Sequence, residues 1–372
     1  MKLRFRLTFI IALLTIVIIA AVSVILLNQA RKMQTEVAYE NMSNMSDAMA
    51  VRVQLQFEEA MNSVGSVSRI FNGFKSFDEE IRRPYFNQSM YAILAASVEM
   101  VSIYAVWKPG IIDSTEAEYN PVFTQEGGMI DYHDVSEWNA EEYTRCLKAI
   151  EEGDTTEIIS EPFPFTYEEK NILAVLMATP IMDDSTEEIF GIIGAILDIT
   201  NLQKAVESLK PYDAGIAALY SHGGIIAAHP DHSRIGKSFQ EISRDFLGDE
   251  GIKLVEESLD IGKAHPFTYG GNIIVNAPFY VGGTKTPWVV LTSAPLNTVL
   301  DEVSQMRNFT FVFAFIMVVI ASIIIFLIIN FTVKPIVNVT LTLRDISEGE
   351  GDLTKTIPVT SKDEVGDLAQ YF

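Results

Sequence analysis

The chain has 372 residues, of which 48% are hydrophobic and 20% charged, and this length allows two or three domains. Its 27 basic and 49 acidic residues give a formal net charge of −22 at pH 7, which argues against nucleic acid or an anionic lipid surface as a partner of the part of the chain that carries this charge. The single cysteine, Cys146, excludes an internal disulfide, so a folded domain must be stable through its core alone.

Two long uncharged stretches, residues 7–27 and 308–333, hold much of the apolar content. As a helix, the 21 residues of the first stretch would measure about 31 Å, enough to cross a hydrocarbon core of about 30 Å. A cleaved signal peptide is the alternative for this stretch, but the apolar part of a signal peptide usually has about 7–15 residues. We therefore predict two transmembrane helices, at residues 7–30 and 308–331.

The orientation follows from the basic residues Lys2, Arg4 and Arg6, because basic residues near a span favour the cytoplasmic side. We expect residues 1–6 inside, residues 31–307 outside and the C-terminal segment inside, in a multi-pass protein of the cell inner or plasma membrane. The predicted outer part contains 20 basic and 42 acidic residues, so it carries the whole net charge. The simplest interpretation of that charge is a solvated surface.

Residues 31–76 show apolar side chains at spacings of three to five, with polar residues between them. This periodicity is typical of a helix, and Gly65 is the only glycine before Gly73. Because such a helix is longer than the elements of most globular domains, we predict a stalk that continues the first transmembrane helix. A second helix is predicted over residues 84–98.

After these helices the pattern changes to short apolar runs separated by turn residues, which predicts strands. We predict a membrane-distal unit over residues 77–210 and a membrane-proximal unit over residues 211–300. The predicted fold class is α+β: a long N-terminal stalk helix with two tandem PAS-like antiparallel-sheet units, flanked by two transmembrane helices. The predicted distal strands are 102–107, 157–160, 171–182 and 190–199, with helices at 139–152 and 201–209. The predicted proximal strands are 214–220, 224–229, 264–270, 272–280 and 288–294, with a helical region at 238–259.

Four short motifs within residues 31–307 stand in a distinctive order between the two predicted spans. They are Ser160-Glu161-Pro162-Phe163, Gly191-Ile192-Ile193-Gly194-Ala195-Ile196-Leu197-Asp198-Ile199, Gly223-Gly224-Ile225-Ile226-Ala227-Ala228-His229-Pro230-Asp231 and Ile235-Gly236-Lys237. In this order they resemble the double Cache sensor domains of bacterial receptors. The resemblance implies a small-molecule pocket in the distal unit, between its sheet and covering loops, and a proximal unit that transmits the change.

Many members of this family bind amino acids through an Arg-x-Trp-[Tyr/Phe] stretch before the short helix and an aspartate in the last strand. The corresponding stretch of this chain, residues 133–139, contains Trp138 but no arginine, and Ile196 stands where the aspartate is expected. Asp198 matches a different family aspartate, one that closes the sheet. Because arginine binds a carboxylate and aspartate neutralises an ammonium group, the resemblance does not imply an ordinary α-amino acid as the ligand.

The residues left to line such a pocket are mainly aromatic and acidic. A set of this kind suits a flat or cationic ligand, through stacking and cation–π contacts. The alternative is that Trp107 and Tyr143 belong to the core and Trp138 anchors a loop. The predicted ligand-binding residues are Tyr104, Trp107, Asp131, Tyr132, Trp138, Tyr143 and Tyr167, with Asp134 nearby.

Residues 332–372 contain two helical segments with apolar residues at coiled-coil spacing, joined by a connector of about 15 residues. With its Lys-Pro exit from the membrane and its Gly-Asp-Leu-Thr connector, this region resembles a HAMP linker, which we expect to be incomplete at Phe372. The apolar positions form a seam that the two helices of one chain cannot bury alone. A parallel four-helix bundle, and hence a homodimer, is therefore implied. The apolar positions are Ile336, Val339, Leu343 and Ile346, then Val365, Leu368 and Phe372.

The sequence predicts no catalytic residues, no cofactor and no metal site. His229 and His232 flank Asp231, but they lack the helical spacing of a metal site, and the resemblance explains His229-Pro230 as a turn. The favoured function is a methyl-accepting chemotaxis receptor that acts on cytoplasmic partners through a missing C-terminal domain. A sensor histidine kinase or a diguanylate cyclase with the same front end is the first alternative, and a binding module without signalling is the second.

Overall fold

The computed structural model of the chain describes residues 3–115, 119–134, 148, 152, 157–167, 170–183, 186, 188–348 and 367. The chain divides into two compact units. Residues 36–299 form one, which we call the globular unit. Residues 1–35 and 300–372 form the other, which we call the terminal unit.

The described residues form helices and antiparallel strands. The helices are α1 (Leu3–Asn72), α2 (Glu79–Ala96), α3 (Thr200–Ser208), α4 (Phe239–Ile242), α5 (Arg244–Ile261), α6 (Leu296–Val299) and α7 (Asp301–Glu348). The strands are β1 (Met100–Trp107), β2 (Pro121–Glu126), β3 (Met129–Asp134), β4 (Ile158–Ile159), β5 (Phe163–Tyr167), β6 (Lys170–Met182), β7 (Ile189–Asp198), β8 (Ile216–Tyr220), β9 (Ile226–Ala228), β10 (Phe267–Tyr269), β11 (Asn272–Phe279) and β12 (Trp288–Pro295).

The terminal unit contains the N-terminal part of α1 and helix α7. Each of these helices has a segment long and apolar enough to cross a membrane. Large apolar side chains stand exposed along both. Helix α7 continues through Pro335 and is described as far as Glu348. Examples of the exposed side chains are Phe9, Ile10, Ile25, Phe309, Phe315 and Ile328.

In the globular unit, α1 runs as the predicted stalk along residues 36–72. Its buried residues Val53, Phe57, Met61 and Val64 recur at spacings of four and three, so they form one face of the helix. The long helix is possible because α1 contains no proline and only one glycine, Gly65.

Two antiparallel sheets pack along the stalk. The distal sheet has seven strands in the order β3-β2-β1-β7-β6-β4, with β5 paired to β6. The proximal sheet has five strands in the order β10-β11-β12-β8-β9. One hydrophobic core joins the stalk to both sheets; for example, Phe57 on α1 meets Trp288 on β12 at 5.2 Å between ring centroids, in an edge-to-face contact.

The observed elements differ from the predicted ones mainly at boundaries. Helix α2 begins at Glu79 rather than at residue 84, because Asp78 has the extended backbone of a helix cap and two glutamates fill the first turn. Pro84 therefore lies inside the helix. Strands β2, β3 and β5 were not predicted, and the predicted helix 139–152 lies outside the described residues except for Lys148 and Glu152.

Candidate functional site

The distal sheet has two faces with different surroundings. Alternate residues of a strand point to opposite faces, so Ile103, Ala105 and Trp107 of β1 share one face, and Ser102 and Tyr104 share the other. The first set packs in the core that contains the stalk. We call the second face, which carries Ser102 and Tyr104, the outer face.

Strand register shows which residues meet across the outer face, because directly paired residues lie on the same side of a sheet. One row crosses six strands and contains Tyr104 near its centre, and a second, parallel row contains Ser102. The first row is Ile158, Ala178, Gly194, Tyr104, Val122 and His133. The second row is Leu176, Ile196, Ser102, Thr124 and Asp131.

The centre of the first row is shaped by a glycine. A Cβ atom added to Gly194 would lie 2.2 Å from the Tyr104 hydroxyl oxygen and 2.5 Å from the Met177 carbonyl oxygen. Tyr104 is fully buried, with Val122, Leu176, Ala178 and Gly194 around its ring. The missing side chain at Gly194 therefore lets the phenol lie flat against the strand.

Polar groups gather at the β1–β2–β3 end of the outer face. Ser102 Oγ is buried and makes no hydrogen bond within the described part of the chain. Thr124 Oγ1 and His133 Nε2 lie 3.2 Å apart and form a hydrogen bond. Asp131 is exposed in the same row as Ser102 and supplies a carboxylate. Together these groups place hydrogen-bonding atoms and one carboxylate at this end of the outer face.

The structure divides the predicted ligand-binding residues. Tyr104 and Asp131 share the outer face, whereas Tyr132 pairs with Phe123 on the stalk side and packs against its ring at 5.4 Å. Tyr167 ends β5, where its backbone pairs with that of residue 170. Trp138 and Tyr143 lie outside the described residues, and so does the segment between β3 and β4 apart from residues 148, 152 and 157.

Trp107 lies away from the outer face. Its ring stacks on those of Phe86 and Phe71, with centroid distances of 5.2 and 5.9 Å, and meets the edge of Phe74 at 5.3 Å. Trp107 follows Tyr104 by three positions, and in a strand an odd separation places two side chains on opposite faces. The geometry therefore assigns Trp107 to the core between the sheet and the two helices, which was the alternative considered for this residue.

Ser102, Thr124 and His133 were missed from the sequence. Ser102 could have been found, because it is two residues before Tyr104 and must share its face. Thr124 and His133 depended on β2 and β3, which were not predicted. Their signal is the two-residue link Gly127-Gly128, in which both glycines have positive φ, as a tight hairpin requires.

Ile196 lies on the outer face, at the position where the family resemblance led us to expect an aspartate. It pairs with Ser102 and is buried beside Val101 and Ala174. The side chain at this position is thus aliphatic, and it offers no carboxylate to an ammonium group. Asp198, two residues later, is held at the end of the strand, where its Oδ1 accepts a hydrogen bond from the Thr200 N–H over 2.8 Å.

The histidine-rich turn at residues 229–232 is held by a hydrogen bond within the turn and by a contact with helix α3. His229 Nδ1 accepts a hydrogen bond from the Asp231 N–H over 2.8 Å, and His232 Nε2 lies 2.5 Å from Glu207 Oε1. Burial lowers the pKa of His229. Among the described residues, no group of three histidine, cysteine or acidic side chains is placed to hold a metal ion.

A family model for the HAMP domain matches residues 327–372. The match includes the end of α7 and the region predicted from its coiled-coil spacing to be a HAMP linker. The connector and the second helix of that prediction lie outside the described residues, except Asp367.

Curated relatives are chemotaxis receptors. The methyl-accepting chemotaxis protein PctB of Pseudomonas aeruginosa is 28% identical over 226 residues, which cover 60% of this chain and 33% of PctB. The methyl-accepting chemotaxis protein TlpQ of the same organism is 24% identical over 395 aligned positions, which cover 94% of this chain and 54% of TlpQ. The chain therefore spans about a third of the length of PctB and about half that of TlpQ.

Solved structures share the fold of the globular unit. The periplasmic sensory domain of the Campylobacter jejuni chemoreceptor Tlp1 matches with a TM-score of 0.59 and 21% identity, over 72% of this chain and 98% of that domain. The extracellular domain of mmHK1S-Z3, named as a histidine kinase, matches with a TM-score of 0.58 and 19% identity, over 73% and 99%. These likenesses concern the fold alone. The HAMP match and the curated relatives confirm the resemblance to methyl-accepting chemotaxis receptors that the sequence predicted.

Proposed function

We propose that this chain is the sensor and linker part of a methyl-accepting chemotaxis receptor that binds a small extracellular ligand on the outer face of its distal sheet. The observation that carries the proposal is the order of the parts: an apolar helix, a chemoreceptor-like sensor fold, a second apolar helix and a HAMP segment. Signalling then depends on binding and a shift between two arrangements of the sensor, which the second apolar helix passes to the HAMP bundle.

The ligand is a flat or cationic small molecule in this proposal. Tyr104 supplies an aromatic floor, Asp131 supplies a negative charge, and Ser102, Thr124 and His133 supply hydrogen bonds. Trp138, Tyr143 and Tyr167 remain proposed contributors from the sequence. The aliphatic Ile196 and the absence of arginine from residues 133–139 argue against recognition of an ordinary α-amino acid.

The membrane arrangement proposed is two crossings, with the globular unit outside the cell membrane and the HAMP segment inside. Two apolar helices of sufficient length support this arrangement. The basic residues before the first span support its orientation. The acidic globular unit would then face the medium.

A homodimer is also part of the proposal. The HAMP seam needs a second copy to bury it, and the stalk has a matching stripe of exposed residues at alternating spacings of four and three. Four of its six positions are apolar: Val37, Ala48, Val51 and Leu55, with Asn41 and Asn44 between them. A parallel pairing of two stalks along this stripe would be continuous with a parallel HAMP bundle.

The alternative is a histidine kinase or a diguanylate cyclase with the same front end. The fold match to mmHK1S-Z3 supports this alternative, because the same sensor fold occurs in a protein named as a histidine kinase. The two classes differ in the domain that the HAMP segment is joined to on its C-terminal side. A methylatable helical hairpin there would support the receptor, and a kinase or cyclase domain would overturn it.

A chimera tests the receptor function. We would join this chain, through its HAMP segment, to the cytoplasmic part of a well-behaved chemotaxis receptor and express it in cells that lack their own receptors. The proposal predicts that a gradient of at least one amine, quaternary ammonium compound or flat heterocycle changes the swimming bias. Normal swimming with no response to any of these compounds would contradict the proposed ligand class and sensing role.

A further inference from the structure

Strand β4 has two residues, Ile158 and Ile159, and they point to opposite faces of the distal sheet. Ile158 pairs with Ala178 in the row that contains Tyr104, and it packs against the cluster around that tyrosine. Ile159 points to the other face and joins the core that includes the stalk. Directly after β4, Ser160 Oγ accepts a hydrogen bond from the Leu176 N–H over 2.9 Å. This segment is therefore tied to the floor of the proposed ligand site.

A carboxylate stands on each side of β4, and each binds a turn of the proximal sheet. Glu161 Oε1 accepts a hydrogen bond from the Gly223 N–H over 2.8 Å, and Glu161 Oε2 accepts one from the Ser221 hydroxyl. His222 Nδ1 lies 2.9 Å from Glu161 Oε1. On the other side, Glu157 Oε2 accepts a hydrogen bond from the Gly283 N–H over 2.5 Å.

Both turns have glycine at the point where the carboxylate approaches. A Cβ atom on Gly223 would lie 2.7 Å from Glu161 Oε1, and one on Gly282 would lie 2.1 Å from Glu157 Oε2. Gly282 also has a φ of 52°, which favours glycine. The two contacts are thus alike. In each, a carboxylate beside β4 packs against a turn of the proximal sheet, and only a glycine in that turn leaves room for it.

The two turns are connected to β12, the strand that leads toward the second apolar helix in the chain. The turn at residues 281–284 lies shortly before β12 in the chain. The turn at residues 221–224 comes after β8, which pairs with β12 along residues 216–220. One turn therefore leads into β12 and the other follows the strand that pairs with it, and α6 and α7 come next in the chain.

We propose that residues 157–161 are a coupling segment. In this segment Glu157 and Glu161 transmit a change at the outer face of the distal sheet to the turns at residues 281–284 and 221–224. The proposal rests on the proposed function, because it gives the route by which ligand binding would reach the second apolar helix. Charge-assisted hydrogen bonds to backbone N–H groups suit this role, because they are strong and fix direction. Because one carboxylate lies on each side of β4, a movement of the strand would act on both turns.

The attachment is tested by amide hydrogen exchange on the full chain in lipid nanodiscs. Glu161→Ala should speed exchange at the Gly223 amide, and Glu157→Ala at the Gly283 amide, each by about ten-fold or more, because the acceptor is lost. Glu126→Ala is the matched control: it removes an exposed carboxylate of the same sheet and should leave both amides unchanged. Unchanged exchange at both turns in the first two variants would overturn the proposal.

The coupling is tested by changing the distal side alone. Ile158→Ala alters the packing around Tyr104 and leaves Glu157 and Glu161 in place. It should speed amide hydrogen exchange in both turns. In the background of Glu157→Ala and Glu161→Ala together, the same change should have no further effect there. If Ile158→Ala speeds exchange equally in the native chain and in the double glutamate variant, or in neither, the proposed coupling is wrong. Ile158→Val serves as a milder variant if Ile158→Ala lowers the midpoint of thermal unfolding too far.

These experiments use no ligand, so they separate the coupling from the proposed function. If the chimera responds to a compound while hydrogen exchange shows no transmission from Ile158, the receptor function stands and the coupling segment is wrong. If transmission is found while no compound acts, the coupling segment stands and the proposed function is wrong.

Discussion

Tyr104 on β1 and Gly194 on β7 form a cross-strand pair in which the phenol ring fills the space beside the glycine. The pair lies in the middle of the outer face, and it joins the sequence motif around Gly194 to the proposed ligand site. The same residue pair explains why a glycine, which weakens most strands, is present in the centre of a seven-stranded sheet.

Gly194→Ala should therefore destabilise the globular unit, by about 1–3 kcal/mol, because the added methyl group meets both the Tyr104 ring and the Met177 carbonyl. The measurement is thermal or denaturant unfolding of the full chain in detergent. Gly65→Ala is the control: its Cβ meets only an Arg69 side-chain atom at 3.6 Å, and it should stabilise the stalk helix by about 0.5–1 kcal/mol. Equal effects of the two substitutions would contradict the close packing of the Tyr104 ring against Gly194.

Trp107→Ala should cost about 3–5 kcal/mol of folding free energy, because it removes a buried ring that contacts three phenylalanines. Tyr104→Phe keeps the ring on the outer face and should change stability far less. Unfolding midpoints of both variants test this contrast. A stable Trp107→Ala protein that has lost only its ligand response would instead assign Trp107 to the ligand site.

Much of this fold could be predicted from the sequence, since helical periodicity and apolar runs report burial directly. The stalk, the antiparallel units and strand β7 follow from such patterns. The β2–β3 hairpin was missed although Gly127-Gly128 is a hairpin signal. The division of Tyr104 and Trp107 between faces also follows from strand alternation, because the two residues are an odd number of positions apart.

Other features could not be predicted because they depend on tertiary contacts. Glu161 meets Ser221 sixty residues away in the chain, and Glu157 meets Gly283 across an even longer separation. No local pattern marks these pairs. A two-residue strand such as β4 likewise has too few residues to show a period, so its place at the edge of the sheet comes from the structure alone.

Glu99 gives a pH-dependent prediction. Burial raises its pKa, a hydrogen bond from Gln56 opposes this, and the nearby Glu59 and Asp198 raise it further, so the net shift is upward. A raised carboxyl pKa means that ionised Glu99 costs stability above that pKa. Glu99→Gln should therefore stabilise the protein at pH 7.5 by less than about 1 kcal/mol, since the group is partly solvated.

The stabilising effect of Glu99→Gln should disappear as the pH falls and Glu99 becomes protonated. Unfolding midpoints from pH 7.5 to pH 4 test this, with Glu126→Gln as a control that removes an exposed carboxylate. A constant difference across this range would show that the charge of Glu99 is not the cause.

The pKa of Glu161 is shifted in the opposite direction from that of Glu99. Burial tends to raise its pKa, but hydrogen bonds from His222, Ser221 and Gly223 outweigh burial and hold it below the ordinary value of 4.5. A lowered pKa means that the ionised group stabilises the fold above the ordinary value, and that this stability is lost as the pH falls below it. Glu161→Ala should thus destabilise the protein at pH 7 and show a smaller loss of stability on acidification. A steeper loss in the variant than in the native protein would contradict this assignment.

The most direct test of the proposed ligand site is a thermal-shift measurement on the full chain in detergent, with amines, quaternary ammonium compounds, flat heterocycles and ordinary amino acids. A compound that binds only the folded protein adds about 2.7 kcal/mol of stability at 100 times its dissociation constant, which is readily measured. We expect a shift with a cationic or flat compound that is lost in Asp131→Asn and kept in Glu126→Gln. Stabilisation by ordinary amino acids alone, or a shift that Asp131→Asn leaves intact, would contradict the proposed site.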